Sequence, residues 1–300
     1  GAAVIAIMLA APEGLFWKIR DRFWRRPAPP TEIKERPSSL AVPAASGTLL
    51  YVRGVSKAFG GLRAVQDVSF SVAAGEILGI IGPNGAGKTT LFNVLNCVLS
   101  ADTGSARLEG RELLGLKVHQ VARIGVGRTF QVVRSFPRLP LLDNVIVGGY
   151  GAGLDDHVAA AAAEAALEAV GLADRASLAA DGLTNKELRL MELARALAGR
   201  PRLLLLDETL AGLGRDECDD LLAVLRQLRA DGMTIVIIEH TMHAMLRLAD
   251  RFLVLDHGAV LAEGLPSAVV EDRAVIEAYL GSKFLAQQEP AGQHVQGQHA

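Results

Sequence analysis

Three hundred residues and 31.7 kDa suffice for one large or two modest domains with a real core, which excludes a disulfide-stapled mini-protein. Half of the residues are hydrophobic, 21% are charged and the mean hydropathy is +0.27, which excludes disorder along the whole length and is high for an entirely soluble chain. The 31 Lys and Arg against 33 Asp and Glu leave a formal charge of -2, so no global positive field gathers nucleic acid, and Cys97 and Cys218 form no metal-ligand spacing.

The chain opens on an apolar run, Ala2 to Ala11, broken by Pro12, Glu13 and Gly14. Such a run rises only about 15 Å as a helix, about half of a hydrocarbon core. Lys18, Arg20, Arg22, Arg25 and Arg26 follow it, interleaved with Phe16, Trp17, Phe23 and Trp24. A signal peptide places its charge first; here the order is that of a membrane helix leaving on the cytoplasmic side. Residues 1–12 are therefore expected to end a truncated transmembrane helix whose beginning, with a multi-span permease, lies upstream of Gly1. An amphipathic helix lying on a membrane surface is the alternative. Residues 13–48 read as a basic cytoplasmic exit and a Pro-rich linker.

From Leu49 the pattern changes. Leu49–Val55 and Asp67–Ile81 read as strands, and Leu203–Leu206, Thr234–Ile238 and Phe252–Leu255 are short apolar runs bounded by turns, as buried parallel strands are. Leu221, Leu222, Leu225 and Leu228 share one face of a helix over Asp216–Ala230, so strands and helices alternate and an α/β fold is expected. A helical subdomain, residues 132–198, includes an Ala-rich helix from His157 to Val170 that stops at Gly171. The domain is expected over 49–283, and 284–300, with His294 and His299, reads as a solvated tail.

Gly82-Pro-Asn84-Gly85-Ala86-Gly87-Lys88-Thr89-Thr90 fits the phosphate-loop pattern GxxxxGK[ST] and sits between an expected strand, Ile77–Ile81, and an expected helix, Thr89–Leu99. Glycines let backbone N–H groups converge on phosphate oxygens, Lys88 adds a point charge, and the Thr89 hydroxyl can ligate Mg²⁺. Four leucines then deliver Asp207 and Glu208 at the end of an interior strand. Alternation sends them in different directions, so Asp207 can hold Mg²⁺ through water while Glu208 faces an attacking water as general base. The run Ile235–Ile238 ends in Glu239 and places His240 at the same carboxyl edge, where ligands of parallel sheets bind, so that its imidazole is expected to contact the γ-phosphate as a catalytic residue. Gln131, at the entrance to the helical block, can reach metal or water.

Taken together, these residues resemble the ATP-binding subunits of ABC transporters, most closely those of branched-chain amino acid importers. The resemblance runs from Leu49 to about Lys283. It carries Walker A (Gly82–Thr90), the Q-loop glutamine Gln131, Walker B with its glutamate (Asp207, Glu208) and the switch histidine His240, in the family's order. The phrases ValSerLysAlaPheGlyGlyLeu, GlyArgThrPheGln and IleGluHisThrMet look like the branched-chain subgroup. The resemblance implies an ABC-type P-loop NTPase that hydrolyses ATP with Mg²⁺ held by Thr89, Gln131 and Asp207. Phe59 would stack on adenine, and Val65, in the same segment, would join the nucleotide site. It further implies a second ATP-binding subunit, identical or different, a permease, an indirect periplasmic substrate-binding protein, and a place on the cytoplasmic face of the membrane.

One motif departs. Where the family has LSGGQ this chain reads Leu183-Thr184-Asn185-Lys186-Glu187. Thr184 can replace the serine at a helix N-terminus, whereas Lys186 stands where a glycine lets backbone approach the partner's γ-phosphate. The stretch Ala211–Gly214 also lacks the aspartate usual in the D-loop. Two readings stay open: a tolerated variant, or a degenerate half-site that binds ATP without helping its partner. A soluble ABC-type ATPase acting on ribosomes or nucleic acid is a further class, against which the charge of -2 and the apolar start weigh.

Overall fold

The computed structural model describes residues 47–280; the apolar run, the linker up to Ser46 and the expected tail lie outside the described residues. Its first strands, β1 (Thr48–Phe59) and β2 (Leu62–Ala73), mix buried and exposed residues and pair antiparallel across the turn at Gly60 and Gly61. β3 (Ile77–Ile81) is of another kind, with all of its residues buried. The run Asp67–Ile81, expected as one strand, is therefore two strands in two sheets. It breaks at Gly75, whose φ of 74° no strand tolerates, while Glu76 accepts the Ala73 N–H at 2.6 Å and closes the turn.

α1 (Lys88–Leu95) stops before the expected Leu99, because Cys97 adopts φ 55° and ends the helical path. β4 (Thr103–Leu108) and β5 (Arg111–Glu112) complete an antiparallel sheet of order β2-β1-β4-β5. α2 (Val118–Ile124) and β6 (Val126–Arg128) lead to α3 (Leu141–Gly151), α4 (Asp156–Ala169) and α5 (Asn185–Ala198). Asp155 caps α4 by accepting the Val158 N–H at 2.9 Å, and Ala159, Ala162, Ala163 and Ala166 form its buried face.

The chain then alternates through β7 (Leu203–Asp207), α6 (Arg215–Ala230), β8 (Thr234–Ile238), α7 (Met242–Leu248) and β9 (Arg251–Asp256), ending in β10 (Ala259–Gly264), α8 (Pro266–Glu271) and α9 (Arg273–Leu280). The second sheet has the order β10-β9-β3-β8-β7-β6 and is parallel except for β10. Its inner strands β9, β3, β8 and β7 are built on continuous apolar runs because both faces are covered. Ile77, Leu204, Leu206, Ile235 and Ile237 join the core shared with α5 and α6, while Leu78, Leu203, Leu205, Val236 and Ile238 join the core shared with α1 and the antiparallel sheet. Among the described residues no helix is long and apolar enough to cross a membrane.

Candidate active site

β3 delivers the chain into the Gly82–Gly87 turn at the carboxyl edge of the parallel strands, and α1 leads it away. Neighbours press on this turn closely enough to demand glycine. A Cβ on Gly82 would lie 2.1 Å from Leu255 O of β9, and one on Gly87 2.1 Å from Ala64 O of β2, with φ of 148° and 99° at the two positions. The β9–β10 turn braces the loop from outside: Gly258 N–H donates to Ala86 O at 3.0 Å, and the Gln66 side chain donates to His257 O at 2.7 Å. From α9, Tyr279 Oη accepts the Gly82 N–H at 2.6 Å.

Lys88 is only 5% exposed, and its ammonium folds back to donate to Gly82 O and Pro83 O at 2.8 and 2.9 Å. Burial pulls it below the usual lysine range, with Glu208 and Asp207 pulling the other way. No acidic side chain occupies the first turn of α1, so the positive end of its dipole and the ammonium both suit an anion at this loop.

A cleft of about 670 Å³ opens beside this loop, lined by Asn84 through Thr90, Phe59, Glu208 and His240. Phe59 ends β1 with its ring 46% exposed and Lys57 Nζ 5.6 Å from the ring centre. Arg63, Gln66 and His257 also line the cleft, which no local motif in the sequence signalled. Val65 does not: its side chain points into the core and is 1% exposed, because β2 alternates and its neighbours face outward.

Glu208 lies just past β7 at φ 50°, so it diverges from Asp207 through a left-handed turn and not, as expected, through strand alternation. One carboxylate oxygen accepts from Gln131 Nε2 at 2.6 Å and the other is 2.5 Å from His240 Nε2. The structure thus brings Gln131, Glu208 and His240 into one cluster at the edge of the cleft.

Asp207 is buried behind them. Its Oδ2 meets Arg128 Nη2 at 3.2 Å, and the guanidinium lies 5.0 Å from the Phe130 ring centre and 5.9 Å from that of Phe92. Burial pushes the carboxyl up and the guanidinium down, each opposed by the other. Asp207 Oδ1 has no hydrogen-bond partner. Among the described residues no three His, Cys, Asp or Glu side chains converge on a metal position. An orphaned carboxylate oxygen, with the Thr89 hydroxyl exposed in the cleft, fits a hard cation that takes most of its ligands from phosphate and water.

Thr184 stands apart and does not line the cleft. It caps α5 in a reciprocal box: its hydroxyl accepts the Glu187 N–H at 3.3 Å, and Glu187 Oε2 accepts the Thr184 N–H at 2.8 Å. Lys186 Nζ reaches Asp220 Oδ2 of α6 at 2.8 Å, and the Asn185 side chain donates to Gly212 O at 3.0 Å.

Residues 65–211 match the ABC transporter family model, and residues 259–284 match that of the branched-chain amino acid ATP-binding cassette transporters. The chain is 39% identical over 252 residues to BraF of Pseudomonas aeruginosa, a high-affinity branched-chain amino acid transport ATP-binding protein, covering 79% of this chain and 99% of that one. LivG of Escherichia coli, of the same description, is 38% identical over the same length and coverage. The ADP conformation of an ATP-binding cassette of an ABC transporter superposes with a TM-score of 0.73 at 29% identity, over 79% of this chain and 100% of that structure. Its phosphate loop, its sheet order and relatives matched over nearly their whole length together place the chain in the ATP-binding family of ABC transporters, the ATPases that drive transport.

Proposed function

We propose that this chain powers the import of branched-chain or similar amino acids across the cytoplasmic membrane, working at its inner face with Mg-ATP shared across a dimer of ATP-binding subunits. The observation that carries this reading is the meeting of Lys88, Glu208 and His240 on one cleft beneath an exposed aromatic ring. BraF and LivG, both named for branched-chain amino acid transport, supply the cargo class.

In this reading Phe59 stacks on adenine, the N–H groups of Asn84 through Gly87 cradle phosphate, and Lys88 leaves its own loop carbonyls for the β and γ oxygens. Thr89 and Thr90 complete the cradle at the start of α1. Mg²⁺, when bound, neutralises charge on the phosphate oxygens, and Thr89, Asp207 and Gln131 would hold it. Glu208 takes the proton of the attacking water, while His240 and Gln131 orient its carboxylate. Thr184, outside the cleft of its own chain, serves the nucleotide of the second subunit. A permease turns dimer closure into transport, and a periplasmic binding protein delivers cargo to it. One observation favours a second reading, an ATP-binding half-site with little turnover: Lys186 fills the place of a glycine.

Uptake of radiolabelled leucine, isoleucine and valine, in cells whose only copy of this chain carries Lys88→Ala, tests the proposal. Loss of uptake is expected. Unchanged uptake, or loss confined to some other solute, would overturn it.

A further inference from the structure

Glu239 is a carboxyl that this scheme leaves unused, although it is 3% exposed and directly precedes His240. The register of β7 and β8 pairs Asp207 with Ile238, so Glu208 and Glu239 leave the sheet side by side. Two bonds cross between the turns that follow. Glu208 N–H donates to Ile238 O at 2.9 Å, and Leu210 N–H donates to Glu239 Oε1 at 2.6 Å. Between these anchors the chain passes through Glu208 at φ 50°, a conformation that a side-chain-bearing residue holds only when its surroundings impose it. Glu239 directly precedes His240, so the bond its carboxylate accepts from Leu210 N–H ties the loop that carries Glu208 to the turn that carries His240.

We infer that Glu239 is a positioning residue for hydrolysis, whose carboxylate clamps the Leu210 loop to the His240 turn and so keeps Glu208 and His240 in contact. The inference rests on the reading of Glu208 as the general base. It explains why a carboxyl is kept where water does not reach. An ionised carboxylate accepts the Leu210 N–H with the strength of a charge-assisted bond, which an apolar residue cannot do. Its surroundings set when it is ionised. Burial pushes it up to about 7, the Leu210 and His240 N–H groups pull it down, Glu208 raises it and Arg189 of α5 lowers it. From α6, Cys218 faces it with a thiol that burial, and next Glu239 itself, push upward. Glu239 does not line the cleft, so its influence on turnover is separable from nucleotide binding.

Two measurements on the full chain test this. Amide exchange at Leu210, corrected for its intrinsic rate, should show protection that falls as the pH drops from 8 to 6 in the wild type. In Glu239→Gln the shape is kept but a neutral amide oxygen replaces the charged acceptor of the Leu210 N–H. Its kcat should fall roughly tenfold at pH 8, the equivalent of one charge-assisted bond, with the ATP KM unchanged and the deficit closing toward pH 6. A kcat equal to the wild type at pH 8, or a deficit constant with pH, would overturn the inference. Should the variant not fold, pH-independent protection at Leu210 would do the same. Retained turnover in Glu208→Gln would instead remove the base assignment, which the Leu210 exchange does not depend on.

Discussion

His240 Nε2 stands 2.5 Å from Glu208 Oε1, so the carboxylate at the mouth of the cleft is already oriented by a neighbour 32 positions along the chain. With Gln131 on its other oxygen, Glu208 is held from both sides, and each carboxylate oxygen keeps a further lone pair for a water. Glu208→Gln keeps the shape and removes the base. Hydrolysis should drop by roughly 10² to 10⁴-fold while ATP affinity stays, measured as single-turnover rate against equilibrium nucleotide binding.

Glu239 makes a separate prediction about stability. Its ordinary value is 4.5 and its folded value about 7, so between those limits the folded chain keeps a proton that the unfolded chain has released. Stability from this group is therefore fully present below about 4.5 and is lost as pH rises through about 7, a loss approaching about 3 kcal/mol. Glu239→Gln does not titrate, so urea denaturation should show it gaining on the wild type between pH 5 and pH 8. A stability difference flat with pH would refute the sign.

Arg128 tests what a buried ion pair does when halved. Its side chain is held between Phe92 and Phe130, and removing it leaves the buried Asp207 carboxyl without its direct ion-pair partner. Arg128→Met should destabilise the domain by about 3–5 kcal/mol, and pairing it with Asp207→Asn should recover much of that loss. Denaturant midpoints of the single and double variants measure both.

Lys186 is drawn to Asp220 across the surface, an exposed pair whose loss costs at most about 1 kcal/mol. Function, not stability, should therefore respond at this position. In a purified homodimer, Lys186→Gly should raise ATP turnover with little change in melting temperature. A wild type already fast, and unchanged by the substitution, would mark Thr184–Glu187 as a working signature.

What could be read along the chain was whatever is local. The phosphate loop announces itself because strand, turn and helix are consecutive, and Asp207, Glu208 and His240 because each closes an apolar run. The short strands β4, β5, β6 and β10 stayed hidden, since few of their residues are buried and no apolar run marks them. The segment around Val65 points to the nucleotide, while the alternation of β2 turns its side chain inward. Arg128 against Asp207 and Tyr279 against Gly82 are 79 and 197 positions apart, distances over which no spacing rule operates. Glu239 reads as an ordinary acid at the start of a turn; only the packing of the Leu210 loop over it makes it buried.

The place of β3 has a consequence for synthesis of the protein. Both of its neighbours, β8 and β9, lie more than 150 positions downstream, and the hydroxyl that holds Gly82 comes later still. A nascent chain that has emerged through α6 carries the whole phosphate loop with no strand on either side of it. Such long-range pairing is slow to form and leaves apolar edges open meanwhile. The phosphate loop therefore gains its flanking strands only after β9 has emerged, so a chain cut short before that point lacks the sheet that holds the loop.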